Sequence, residues 1–151
     1  MSTRSFIGIE QPDGKIKGVY CHFDGDIYHN GMILYDYYKN IDKITKLINL
    51  GSLSSLGVDI GIQVDFDNNN INNYEQCIAY HRDRDEELCI ETYENRAEIR
   101  SNDSDYEFIY LFSKAENKWL VCEYDDYVTL ESRIKHLESI NDKIFTYRRE
   151  K

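Results

Sequence analysis

Hydrophobic and polar positions alternate most regularly in two stretches. Residues 5–10 (SFIGIE) and 15–22 (KIKGVYCH) are rich in strand-forming residues and are joined by QPDG, where proline and glycine favour a tight turn, so a β-hairpin is predicted. Residues 106–113 (YEFIYLFS) and 118–124 (KWLVCEY), joined by KAENK, predict a second hairpin. In it Tyr106, Phe108, Tyr110 and Phe112 alternate onto one face, and Ile109 and Leu111 fall on the other. A strand apolar on both faces belongs in the middle of its sheet.

Helical spacing marks three further segments. Ile33, Leu34, Tyr37 and Tyr38 share a face after Asn30, which is placed to cap a helix. Ile44, Leu47 and Ile48 form the stripe of a second helix, with Asp42 as its N-cap and Gly51 just past its end. Leu130, Ile134, Leu137 and Ile140 define a third, from about Thr129 to Asn141, capped by Thr129. SLSSLG reads as a tight connection with Ser54 or Ser55 bonding locally, and the asparagine-rich residues 65–75 read as a loop. Strands are expected at 76–82 (QCIAYHR) and 88–93 (LCIETY), while the polar stretch 94–105 fits no pattern. The order of elements predicts an α+β class in a single domain, residues 1–151. Its sheet is mainly antiparallel, with an N-terminal β-hairpin, two consecutive helices and a C-terminal helix.

At 41% hydrophobic and 30% charged residues, the composition is that of a globular protein. Apolar runs stay too short to span a bilayer and no signal peptide is evident, so no membrane association and a cytoplasmic location are expected. Cys21, Cys77, Cys89 and Cys122 form no CxxC pair, so they are expected as free thiols, at least three of them buried.

Charge changes the picture more. The chain has 28 acidic and 18 basic residues, net −10. Between Asp59 and Asp126 lie 18 acids and six bases, leaving 10 acids and 12 bases elsewhere, so the negative charge is concentrated in the middle. Such a field repels nucleic acid and attracts basic partners. Asp83, Asp85, Glu86, Glu87, Glu91, Glu94 and Glu98 form the densest cluster and are the expected partner-binding surface.

Candidate chemistry is sparse. YCHFDGDIYHNG, residues 20–31, holds His22, Asp24, Asp26 and His29, but has neither HxH nor HxxxH. It is read as an organised connector that binds no metal, braced by Asp24 and His22. Cys21 and His22 point to opposite faces of a strand, and Cys77 and His81 would be about 13 Å apart on one. With no GxSxG and no GxxxxGK, the pattern calls for no catalytic residues and no cofactor. If AYHRDRDEE continues as a strand, Tyr80, Arg82 and Arg84 share a face. An aromatic plate beside guanidinium groups holds a base and a phosphate, and Arg4 and His22 complete that candidate pocket.

MSTRS followed by GxYCHxDG, HNGxxLxxY, LGxLSSLG and YHRDR with an acid after it resembles a family of small phage- and prophage-encoded proteins. Members often have YCHWDGYP where this chain has YCHFDGDI. The resemblance implies an anti-defence protein in the cytoplasm of an infected bacterial host. Two mechanisms follow. One is a non-catalytic, anti-CRISPR-like inhibitor whose acidic surface occupies the basic nucleic-acid-binding surface of a host defence protein. The other is a small-ligand binder that sequesters or alters a nucleotide second messenger.

Overall fold

A computed structural model describes residues 3–71, 74–102, 106–124 and 126–140. The predicted hairpin is formed by β1 (Ser5–Glu10) and β2 (Ile16–Cys21), its turn closed by Gly14 N–H donating to Gln11 O at 2.9 Å. A π-helical turn, Ile27–Gly31, leads into α1 (Met32–Tyr37), followed by α2 (Ile41–Asn49) and β3 (Leu53–Ser55). After a long loop come β4 (Ile78–Ala79), α3 (Tyr80–Arg84), β5 (Glu91–Tyr93) and α4 (Arg96–Asn102). The chain continues through β6 (Phe108–Ser113), β7 (Lys118–Cys122), β8 (Tyr127–Thr129) and α5 (Leu130–Ile140).

The class is α+β, with one eight-stranded sheet ordered β4-β3-β2-β1-β6-β7-β8 and β5 added against β2. Pairing is mainly antiparallel, the exceptions being β1 with β6 and β2 with β3. As its two-faced pattern predicts, β6 is central, between β1 and β7. Tyr110 and Phe112 join Ile7, Val19 and Val121 in the larger core, against Ile33, Leu34, Leu47, Ile48 and Ile134 of the helices. Ile109 and Leu111 face the smaller cluster with Phe6, Ile16, Tyr93 and Ile99. Tyr106 departs from the expected alternation: it precedes β6 and packs in this second cluster, its ring 5.4 Å from that of Phe6.

Glycine has a steric reason where Gly8 pairs with Gly18 across the hairpin. A Cβ on Gly18 would come within 2.5 Å of Ile7 O and of the Phe6 ring, which lies across both glycines. The bare backbone makes room for the aromatic cluster of that face.

Three local expectations are corrected. Asn40, not Asp42, caps α2, its Oδ1 accepting from Asp42 N–H at 2.7 Å, while Asp42 adds negative charge to the first turn. Gly51 does follow that helix with φ +79°. SLSSLG includes a strand, β3, rather than a plain connection. The 76–82 strand shrinks to β4 before the chain turns into α3. Thr129 caps α5 as expected, accepting from Ser132 N–H at 3.3 Å; the expected end at Asn141 lies outside the described residues. Among the described residues no helix is long and apolar enough to cross a membrane.

Candidate functional site

The YCHFDGDIYHNG segment is fastened to the sheet mainly by its backbone. His22 and Phe23 N–H donate to Leu53 O and Ser54 O, and Gly25 N–H donates to Thr3 O at 2.8 Å. The buried Tyr110 hydroxyl donates to Gly25 O at 2.6 Å. Asn30 is buried, and its amide donates to Phe23 O at 3.3 Å and reaches Cys21 Sγ and Ser5 Oγ. It therefore ties the loop together instead of capping α1, which the preceding π-helical turn runs into without a side-chain cap. His22 does brace the segment, its Nδ1 bonding to the Tyr20 hydroxyl, while the side-chain bond expected of Asp24 is made by Asp26, which pairs with His29 at 2.8 Å. Among the described residues, no group of three or more His, Cys, Asp or Glu side chains is placed to hold a metal ion.

Of the predicted ligand residues, Arg82 is drawn into the fold. Helical geometry in α3 turns its guanidinium onto Ile60 O at 2.9 Å, Cys77 O at 2.8 Å and the carboxylate of Asp83. Asp83, with a fully buried side chain, also accepts from Ala79 N–H at 2.8 Å and Val64 N–H at 3.0 Å. These two residues anchor the long loop, and the shared strand face of Tyr80, Arg82 and Arg84 does not exist. Arg84 is exposed, paired with Glu86 at 3.3 Å and 4.9 Å above the Phe66 ring, which stacks on Tyr80.

Arg4, His22 and Tyr80 do gather, around a residue that sequence reasoning passed over. Arg4 and Tyr80 lie close enough to Tyr20 to act on its phenol, which burial pushes above its ordinary pKa and Arg4 draws back. His22 bonds the same hydroxyl, and Phe23, 44% exposed, packs edge-on against the His22 ring. Tyr20 and His22 are two residues apart in extended chain, so side-chain alternation was the available signal.

The acidic cluster divides by burial. Asp85, Glu86, Glu87 and Glu94 are exposed, Glu91 and Glu98 are half-buried, and Asp83 belongs to the interior. Among the described residues, no ion pair neutralises Asp85, Glu87, Glu91 or Glu94. Two bases of the same segment are committed elsewhere. Arg96 holds Glu10 with both Nε and Nη2, at 2.6 and 2.8 Å, and Arg100 donates to Tyr106 O and Glu123 O. Lys15 and Lys17 from the first hairpin line a groove with Glu94 and Glu98, so positive charge borders the cluster on that side.

Cys21, Cys77 and Cys122 are buried and Cys89 exposed, all as free thiols. Burial pushes the Cys21 thiol up to about 12 and raises that of Cys77, which disfavours the thiolate that a nucleophile requires.

Compared with protein-family models, curated proteins and solved structures, the chain matches none.

Proposed function

We propose that this chain is a phage-encoded anti-defence protein that blocks a host immune effector by binding it, without catalysis, through the acidic surface from Asp85 to Glu94. The carrying observation is the charge arrangement: exposed Asp85, Glu87 and Glu94 lack ion-pair partners among the described residues, while Arg82, Arg96 and Arg100 are directed into the fold. A carboxylate surface of this kind competes with a polyanion for a basic channel and speeds encounter with it. The motifs shared with small phage proteins supply the setting.

Co-expression with a panel of host defence systems, followed by binding measurements on each effector that loses activity, tests this reading. Binding should weaken as salt rises from about 50 to 500 mM. A variant with Asp85, Glu86, Glu87, Glu91 and Glu94 all changed to lysine should keep its circular dichroism spectrum and lose inhibition. Full inhibition by that variant would sink the proposal.

The gathering of Arg4, His22 and Tyr80 around Tyr20 favours a second reading, a binder of a nucleotide immune signal. Arg82 has no part in it, since its guanidinium holds the fold. A panel of nucleotide second messengers that leaves the melting temperature unmoved would dispose of this alternative.

A further inference from the structure

The acidic surface includes an open edge of the sheet. β5 pairs with β2 and, among the described residues, with no other strand. Which of its backbone groups face outward follows from the first hairpin. There Gln11 N–H donates to Lys15 O at 2.8 Å, so Lys15, Lys17, Val19 and Cys21 bond towards β1 and the residues between them point away from it. His22 keeps the same parity, its N–H donating to Leu53 O of β3 at 2.9 Å. Ile16 and Gly18 therefore carry the bonds to β5, at Tyr93 and Glu91, whereas Thr92 sits opposite Lys17 in the unbonded position. Cys89 continues the alternation, its carbonyl accepting from Ser52 N–H at 3.1 Å. The N–H and C=O of Ile90 and Thr92 are left directed away from β2, and no hydrogen bond among the described residues engages them.

This edge is accessible and negatively charged. Thr92 is exposed, as is every residue from Arg84 to Cys89, while Ile90 and Glu91 are half-buried. Asp85, Glu87, Glu91 and Glu94 form no ion pair among the described residues. Lys17 lies across from Thr92 on β2, on the covered side of the strand. Leu88, 45% exposed, adds apolar surface at the start of the edge. A second copy of the chain paired along this edge would crowd the carboxylates of Glu91 and its neighbours together, which disfavours self-association. A basic strand meets opposite charge and unbonded backbone groups at once.

We propose that the free edge of β5 takes up an extended basic segment of a partner protein as an additional antiparallel strand. The inference rests on the acidic-surface reading and adds how that surface is engaged, through main-chain bonds with charge selecting the segment. Ile90 and Thr92 exchange hydrogen bonds with the added strand, and Glu91 lies opposite a residue in the unbonded position, where side chains stand closest. That residue is lysine or arginine. Its neighbours, opposite Ile90 and Thr92, are apolar or β-branched. The fitting sequence alternates basic and β-branched residues and bonds through the N–H groups of the β-branched ones.

The probe is a heptapeptide, blocked at both ends, that alternates lysine with valine and begins and ends with lysine. Calorimetric titration into the full chain should give saturable binding with a Kd of about 1 mM or tighter. Tetralysine, blocked in the same way and equal in charge, should bind about tenfold more weakly. Methylation of the three valine backbone nitrogens should weaken binding about tenfold or more, and methylation of three lysine backbone nitrogens by less than about threefold. Bound peptide should also slow amide hydrogen exchange at Ile90 and Thr92. On the protein side, Thr92→Pro removes one outward N–H while keeping the charge and the bonds to β2, and should weaken binding about tenfold. Equal binding of the valine-methylated and unmodified peptides would overturn strand addition. So would absence of saturable binding up to about 5 mM, or exchange at Ile90 and Thr92 unchanged at saturation. Those measurements use the unaltered chain, so they stand even where Thr92→Pro fails to fold. The acidic-surface reading is judged separately, by whether the variant with five lysine changes retains inhibition.

Discussion

In α3 and α4, one arginine of each is turned onto a partner in the fold. Arg82 lies against backbone carbonyls and a fully buried carboxylate, and Arg96 closes over Glu10, whose side chain is 11% exposed. Around the β6–β7 turn, Lys118 is exposed and forms no ion pair among the described residues, and it lines the same cavity as Lys39, which follows α1. Arg82 and Lys118 lie in the same acidic segment and count equally in its net charge, yet only one contributes to the surface field. Buried Asp83 of the same segment balances Arg82, so their withdrawal leaves the segment's net charge unchanged; what that net charge hides is the locally cationic cavity by the β6–β7 turn. Side-chain chemistry explains the division. The planar guanidinium satisfies several carbonyls and a carboxylate at once, whereas ammonium groups keep their hydration at a rim.

This contrast breaks if the inward charges can be removed cheaply. Asp83→Ala should have the largest effect, a loss of about 3–5 kcal/mol, because it leaves Arg82 and two backbone N–H groups without their acceptor. Urea denaturation measures it, and a loss below about 1 kcal/mol would mean that water reaches the clamp and that its burial is of no consequence. Arg82→Ala should abolish any activity through the same loss of fold, not through a missing ligand contact. Next in size is Arg96→Met, which leaves Glu10 without its two-pronged donor. It should cost about 1–3 kcal/mol, read from the same denaturation curves, with the partly exposed position of Arg96 holding it to the lower part of that range. Equal stability of Arg96→Met and wild type would place Arg96 with the outward charges.

The elements that were legible in the sequence are those in which burial follows a local period. Both hairpins, α2 and α5 could be read because their apolar residues recur at two or at three to four positions. Around Tyr80 the local pattern misled: YHRDR alternates in type like a strand but forms a helix. What decides the outcome is the grip of Asp83 on Val64 and of Arg82 on Ile60, partners about twenty residues back that no window around Arg82 contains. Asn30 misled for a similar reason, its cap-like position outweighed by buried partners at Ser5, Cys21 and Phe23. Of the expected site residues, Asp85, Glu86, Glu87 and Glu94 stay exposed, while Arg82 and Asp83 become part of the framework. The cavity by the β6–β7 turn could not be read at all, since Tyr35, Lys39, Phe112 and Lys118 meet only through the β6–β7 hairpin and α1.

The smallest expected effect sharpens the comparison at an intermediate degree of exposure. Asp26 and His29 pair at 2.8 Å with each side chain 29% exposed, between the buried clamp of α3 and the open lysines. The hydrogen bond to Asp26 raises the pKa of His29, with burial opposing and the charges of Asp26 and Asp24 assisting; the Tyr74 ring stacks on the imidazole. A histidine whose pKa is higher folded than unfolded stabilises the fold fully below its unfolded value, about 6.5, and that contribution is lost as pH rises through the folded value. His29→Gln should therefore be less stable than wild type at about pH 5.5 by up to about 1 kcal/mol, with the gap closing by about pH 8.5. Paired urea denaturation curves at the two pH values check it. A gap that stays constant with pH would mean that His29 acts as a neutral hydrogen-bonding ring. The charge of the pair would then contribute nothing to holding the loop, and the dependence of charge contributions on burial would start only at the depth of Asp83.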